Sequence, residues 1–418
     1  MSANSPLALL DRDRMRELFD LRGAYLVQTG GDYRGDPYPV WHRLREEAEV
    51  HPGVVHELTG YDRPAVFAGL PIPERPHFSA FSFAACDAAY RNPEVFASSP
   101  TPVDPNDGDL RTQNSMISMG GAQHRRYRSL VQPSFMPANA GWWIEHWIED
   151  TVQHLIDGFA DQGRAELNVD FCAAIPVLTI TSSFGVPVSQ ALEIRAALRQ
   201  PQVLIDLLRP IVADRRRTPR DDLISVLVEA ELPDEDGTAQ RLTDAEIYSF
   251  ALLLLTAGSG TTWKQMGITL TALLQRPEVL DAVREDRSLL RPAIDETLRW
   301  LPTDPMFSRY VMRDIDFHGV HLPAGAVLHL CIGSANRDPA RWENPDEYDI
   351  TRRSRPSFAF GSGAHACLGM HVARAEMTTG IAALLDRLPN LRLDPDAEPP
   401  AFIGMYERGA TEIHVRFG

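Results

Sequence analysis

Ten residues near the C-terminus constrain this 418-residue chain more than any other stretch: Phe360-Gly361-Ser362-Gly363-Ala364-His365-Ala366-Cys367-Leu368-Gly369. Three are glycine and two are alanine, around a single cysteine. Side chains that small let the backbone approach something flat or bulky, and glycine reaches positive φ at no steric cost. A backbone folded around a sulfur presents N–H groups to it, which lowers the thiol pKa and favours the thiolate. The usual fate of a lone cysteine is structural burial. Taken alone, the loop leaves two readings open, a structural cysteine or a thiolate ligand.

The pattern Phe-Gly-x-Gly-x-His-x-Cys-x-Gly resembles the haem-ligand loop of the cytochrome P-450 family. That resemblance implies that Cys367 is the axial thiolate on the iron of haem b (iron protoporphyrin IX). It implies that Phe360 packs against the haem near the sulfur, that Gly361 and Gly369 shape the loop, and that His365 binds a propionate.

Size and composition bound the rest. No Gly/Ser-rich or Pro-rich linker, low-complexity tract or repeat divides the chain, so it reads as one large domain over 36–418 behind an extension at 1–35. The net charge of −16 is spread along the sequence, which argues against a nucleic-acid partner. Cys86, Cys172, Cys331 and Cys367 lie far apart with no metal-binding spacing, the usage of a reducing compartment. Residues 1–20 read as neither a signal peptide nor a membrane span. The expectation is a cytoplasmic, membrane-free monomer of the soluble bacterial type.

Three further motifs follow the family's order. In Met119–Val131, His124 and Arg128 lie four apart on one helical face and are similar to the family's propionate-binding pair, with Arg309 as a third such residue. Thr243-Asp244-Ala245-Glu246 is a capping box that opens a long, fully apolar helix carrying Ala257-Gly258-Ser259-Gly260-Thr261-Thr262. Two mid-helix glycines cost about 1 kcal/mol each relative to alanine, so a local bulge is expected there. By resemblance Gly258 and Gly260 let the macrocycle approach, and Thr261, Gly258 and Ser259 line the oxygen site. The family carries an acid where Gly260 stands, which questions the usual proton relay. Glu296 and Arg299, with Arg352, are similar to the family's structural ion-pair network.

Elsewhere, short strands are expected at Val54–Leu58, Ala65–Phe67, Tyr310–Met312, Ile315–Phe317, Val320–Leu322 and Val327–Cys331. A Pro/Asp/Ser/Thr-rich loop spans Ser98–Asn114, and a C-terminal hairpin is expected from Phe402–Met405 and Thr411–Phe417. Met306 and Phe307 should point into the pocket. Arg215-Arg216-Arg217 reads as a solvated helix end. Between Val188 and Asp221 only two helical runs fit, Ala191–Leu198 and Val203–Arg217, so the lid over the pocket should be reduced.

The resemblance therefore implies a mainly α fold with small β-sheets, the haem buried between the long central helix and the Cys loop. The implied activity is oxygen insertion from O2 into an apolar small molecule, by hydroxylation or oxidative dealkylation. No flavin or iron–sulfur segment is visible, so electrons would come from a ferredoxin or flavodoxin docking on Arg125, Arg126, Arg352, Arg353 and Arg355. Two other readings stand beside it: a hydrogen-peroxide-driven peroxygenase, motivated by Gly260, and a non-enzymatic haem-binding or gas-sensing protein.

Overall fold

The computed structural model describes residues 11–21, 30–61, 74–106, 115–233 and 239–418. The expected strand Ala65–Phe67, part of the Ser98–Asn114 loop and most of the extension 1–35 lie outside them.

The organising element is one 31-residue helix, Asp244–Leu274. Its capping box forms: the Thr243 hydroxyl accepts from the Glu246 N–H while the Glu246 carboxylate accepts from the Thr243 N–H. The Tyr127 hydroxyl donates to the same carboxylate, tying the His124 helix, Gly121–Val131, to the start of the central one. Apolar residues all round bury the helix against Ala174–Ser183, Leu290–Trp300 and Met370–Arg387. The expected bulge is absent. Gly258 and Gly260 sit in unbroken helix, where the hydroxyls of Ser259 and Thr261 donate back to the carbonyls of Leu255 (2.7 Å) and Ala257 (3.1 Å).

The largest sheet has five strands in the order Val50–Pro52, His77–Ala80, Val327–Leu330, Phe307–Val311, Phe96–Ala97. His77–Ala80 and Val327–Leu330 run parallel; the other neighbours are antiparallel. The strand expected at Val54–Leu58 is instead a short helix, Val55–Leu58, one turn after the strand Val50–Pro52. At the C-terminus Phe402–Ile403 pairs with Gly409–Ala410, while His414–Arg416 joins Arg392–Leu393 and Arg164–Glu166 in a separate sheet. The single hairpin read from the sequence is thus two units.

Two helices occupy this segment as expected, Ala191–Ala197 and Pro201–Arg217, separated by three residues, but neither contributes to the wall of the cavity beside the Cys loop. Arg215 is not at a solvated end. It is buried, with its Nε 2.6 Å from Asp222 Oδ2. Met15, Phe19 and Leu21, from the N-terminal extension, join the main core, and the Phe19 ring meets Trp263 of the central helix edge-on at 5.0 Å. Among the described residues no single helix is long and apolar enough to cross a membrane.

Candidate active site

The Cys loop turns on two glycines, Gly361 at φ +66° and Gly363 at φ +72°, and a Cβ on Gly363 would stand 3.0 Å from the Tyr90 carbonyl oxygen. The Cys367 N–H donates to the Phe360 carbonyl (2.8 Å), which closes the loop. The sulfur faces a cavity of about 290 Å³ between this loop and the central helix. Phe360, Gly361, His365 and Gly369 line it from the loop side, and Ala257, Gly258, Thr261 and Thr262 from the helix. Leu253, Leu254, Met116, Ile117 and Phe307 make the wall largely apolar.

At one end of the cavity stand Arg128, Arg309, His124 and His365. Arg309 donates to the Ser308 carbonyl (2.8 Å) and lies over the Tyr90 ring, and Arg128 donates to Gln132 Oε1 (3.2 Å). Among the described residues neither guanidinium meets a carboxylate. The rings of His124 and His365 are 4.0 Å apart. Burial, then the nearby arginines, pushes His124 down to about 4; burial, then His124 and the arginines, pushes His365 down to about 3. A buried end with two fixed positive charges and no anion lacks two negative ones. The two propionates of a haem are groups of that charge, and the residues fit them.

The sulfur points the same way. Burial pushes the Cys367 thiol up, outweighing the Gly369 N–H that donates to it and the positive charge of Arg128. Against that burial the Gly369 N–H, Arg128 and Arg374 all favour the thiolate, the direction expected of the loop's N–H groups. Phe360 lines the wall beside it and carries the Arg374 guanidinium 4.6 Å above its ring.

Two of the residues expected at the oxygen site are elsewhere. Ser259 is buried on the far side of the helix, where its hydroxyl accepts from Arg195 Nη1 at 2.8 Å. A Cβ on Gly260 would meet only that same nitrogen, at 3.8 Å. Gly258 is on the wall, yet the room it leaves is taken by Ile180, whose Cγ1 would lie 2.8 Å from an added Cβ. Gly258 thus makes room for Ile180, while Gly260 is turned toward Arg195 and off the cavity wall. Met306 also turns away, into a core with Trp41 and Tyr406, while Phe307 reaches the cavity.

Glu296 and Arg299 form a buried bidentate pair (2.7 and 2.8 Å), and Arg352 Nε reaches Glu296 at 3.2 Å. Arg299 also donates to the carbonyls of Asn336, Pro345 and Glu347, which ties down the chain leading to the Cys loop. Arg352 is committed to this network and is not part of an open basic surface.

Sequence reading missed two acids on the cavity wall. Glu376 is buried, faces the hydroxyls of Thr179 and Thr262, and burial lifts its pKa to about 8. Val372, Ala373, Glu376 and Met377 line one face of the helix Met370–Arg387, so an acid on an otherwise apolar helical stripe was the available signal. Asp304 lies between Pro302 and Pro305, a setting whose local sequence signals only an extended turn.

A family profile described as cytochrome P-450 matches residues 189–405. The chain is 31% identical over 400 residues to the cytochrome P-450 monooxygenase PikC of Streptomyces venezuelae, covering 88% of each. It is 32% identical over 298 residues to the biotin biosynthesis cytochrome P-450 of Bacillus subtilis, covering 66% of this chain and 74% of that one. The solved structure of the bacillaene polyketide synthase cytochrome P-450 PksS of Bacillus subtilis superposes with a TM-score of 0.79 at 26% identity, over 94% of this chain and 99% of that one. Fold, cavity and sequence agree: this chain belongs to the cytochrome P-450 family of haem b-dependent monooxygenases.

Proposed function

We propose that the chain inserts one oxygen atom of O2 into an apolar small molecule, by hydroxylation or oxidative dealkylation, using electrons from a separate ferredoxin or flavodoxin. The observation that carries this reading is the pairing of Cys367 and Thr261 on facing walls of one apolar cavity. When bound, the haem supplies oxygen activation, with a cysteine ligand that favours O–O cleavage. Cys367 holds the iron, and Arg128, Arg309, His124 and His365 hold the propionates. The leucines of the central helix, with Met116, Ile117 and Phe307, bind apolar substrate and displace water from the site.

Protons are the harder problem, because no acid stands at position 260. Glu376 supplies one: near neutral pH its carboxyl keeps its proton and faces the Thr262 hydroxyl, one residue from Thr261. Thr261 itself donates to the Ala257 carbonyl at 3.1 Å and is free to rotate toward a ligand in the cavity. For the electron donor, Arg125, Arg353 and Arg355 are exposed and offer positive charge to an acidic partner.

The test is oxygen uptake and product formation with a surrogate ferredoxin and its reductase, set against hydrogen peroxide alone. Oxygen-driven turnover tightly coupled to product supports the proposal; turnover with peroxide only supports the peroxygenase reading, which Gly260 favours.

A further inference from the structure

The cavity wall carries an acid with no ion-pair partner of its own. Asp304 lines the cavity on the segment that follows the helix Leu290–Trp300, next to Thr303, whose N–H donates to Gln265 Oε1 at 2.9 Å. That hydrogen bond and the one from the Thr303 hydroxyl to the Arg408 carbonyl (2.7 Å) fix the segment between the central helix and the C-terminal turn. Among the described residues no hydrogen bond or ion pair reaches the Asp304 carboxyl. Lys264 of the central helix and Glu407 of the turn between Phe402–Ile403 and Gly409–Ala410 face it from neighbouring elements, and its charge also reaches Cys367 across the cavity. Lys264 is buried and already paired with Glu407. Two carboxylates thus share one lysine, and the surplus negative charge opens on an apolar cavity. Burial and Glu407 together lift Asp304 to about 7, the response of a carboxyl that lacks a cation.

The arginines of the same cavity do not answer it, since Arg128 and Arg309 belong to the group of side chains that fits the haem carboxylates. We infer that Asp304 selects substrates that carry a positively charged nitrogen, an amine or ammonium, on an otherwise apolar skeleton. This rests on the monooxygenase reading above and adds the substrate class. A cation beside Asp304 would complete the charge balance with Lys264 and Glu407, and the leucines and Phe307 would cover the remainder of the ligand.

A quaternary ammonium has no lone pair and cannot ligate iron, so its binding reports the pocket alone. The experiment titrates the haem-loaded protein with decyltrimethylammonium, its neutral tert-butyl isostere and decanoate, following the Soret shift and, independently, calorimetric heat. Decyltrimethylammonium should bind at least about tenfold tighter than the isostere, which is about 1.4 kcal/mol, and decanoate weakest. In Asp304→Asn and Asp304→Leu the preference should fall below about threefold, with the isostere's Kd and the carbon-monoxide spectrum unchanged. Equal binding of the cation and the isostere by the native protein, or a preference that survives both substitutions, overturns the assignment of Asp304. In that case the isostere still shifts the Soret band and the monooxygenase reading stands. A native protein with no thiolate-type carbon-monoxide band overturns both.

Discussion

Arg195 reaches from the helix Ala191–Ala197 to the back of the central helix, where its Nη1 donates to Ser259 Oγ at 2.8 Å, beside the empty position left by Gly260. The guanidinium also lies 4.7 Å from the Phe19 ring centroid. The helix Ala191–Ala197, the N-terminal extension and the central helix therefore meet at one arginine, on a face of the central helix that is turned from the cavity. A carboxylate installed by Gly260→Asp would project toward Arg195 and replace a helix-interior glycine, which removes part of a cost of about 1 kcal/mol. Because that carboxylate meets Arg195 and not the cavity, oxygen-driven turnover and the Kd of a neutral ligand should both stay within about twofold of the native values. A severalfold rise in the oxygen-uptake assay would contradict the placing of position 260 outside the proton path.

Glu376 makes two predictions. Its ordinary value is 4.5 and burial raises it to about 8, so the folded chain keeps a proton that the unfolded chain releases. The stability this contributes is complete below about pH 4.5 and is lost as pH climbs to about 8. Glu376→Gln, a neutral mimic of the protonated acid, should flatten the melting temperature between about pH 5 and 8. It should also lower coupled turnover at pH 7 by about 10²-fold or more, since a positioned proton donor contributes on that scale. A pH profile of Tm that keeps its slope in the variant would contradict the assigned protonation state.

The Glu296–Arg299 pair is fully enclosed, with side chains 5% and 3% exposed. Arg299→Ala leaves Glu296 charged and buried and strips hydrogen bonds from three carbonyls. A loss of about 3–5 kcal/mol is expected from breaking one side of such a pair, read as a shift in the denaturant midpoint. Haem occupancy of the purified protein should fall with it, because these carbonyls lead into the Cys loop.

Arg128→Leu and Arg309→Leu each remove one charge from the propionate end and should lower the haem-to-protein ratio without a comparable drop in the stability of the haem-free chain. The two histidines should respond as well. Loss of Arg128 relieves both His124 and His365, and loss of Arg309 relieves His365, so their titration, followed by NMR in the haem-free protein, should move upward accordingly. Full occupancy in the double variant would rule out the charge argument.

What could be read from the sequence was whatever depends on local spacing. The Thr243 capping box, the apolar run after it and the glycines of the Cys loop are local signals, and each is where the sequence puts it. Orientation was harder. Successive helical residues point about 100° apart, so motif membership does not say which of Gly258, Ser259, Gly260 and Thr261 faces the cavity. Thr261 does; Ser259 and Gly260 face Arg195, which is far off in sequence. Val55–Leu58 illustrates a different limit, a segment opened by the β-branched pair Val54 and Val55 yet folded as one helical turn, while the neighbouring Val50–Pro52 takes the place at the sheet edge. Asp304 and Glu376 gained their meaning only from the residues packed around them, Glu407 and Lys264 for one, Thr179 and Thr262 for the other.

The central claim is that Cys367 is the haem ligand, and the carbon-monoxide difference spectrum of the dithionite-reduced protein tests it most directly. The native chain should give the red-shifted Soret band of thiolate-ligated haem, and Cys367→Ser should lose that band while still binding some haem. A native spectrum with the band of nitrogen-ligated haem, or a Cys367→Ser variant that keeps the thiolate band, would contradict it.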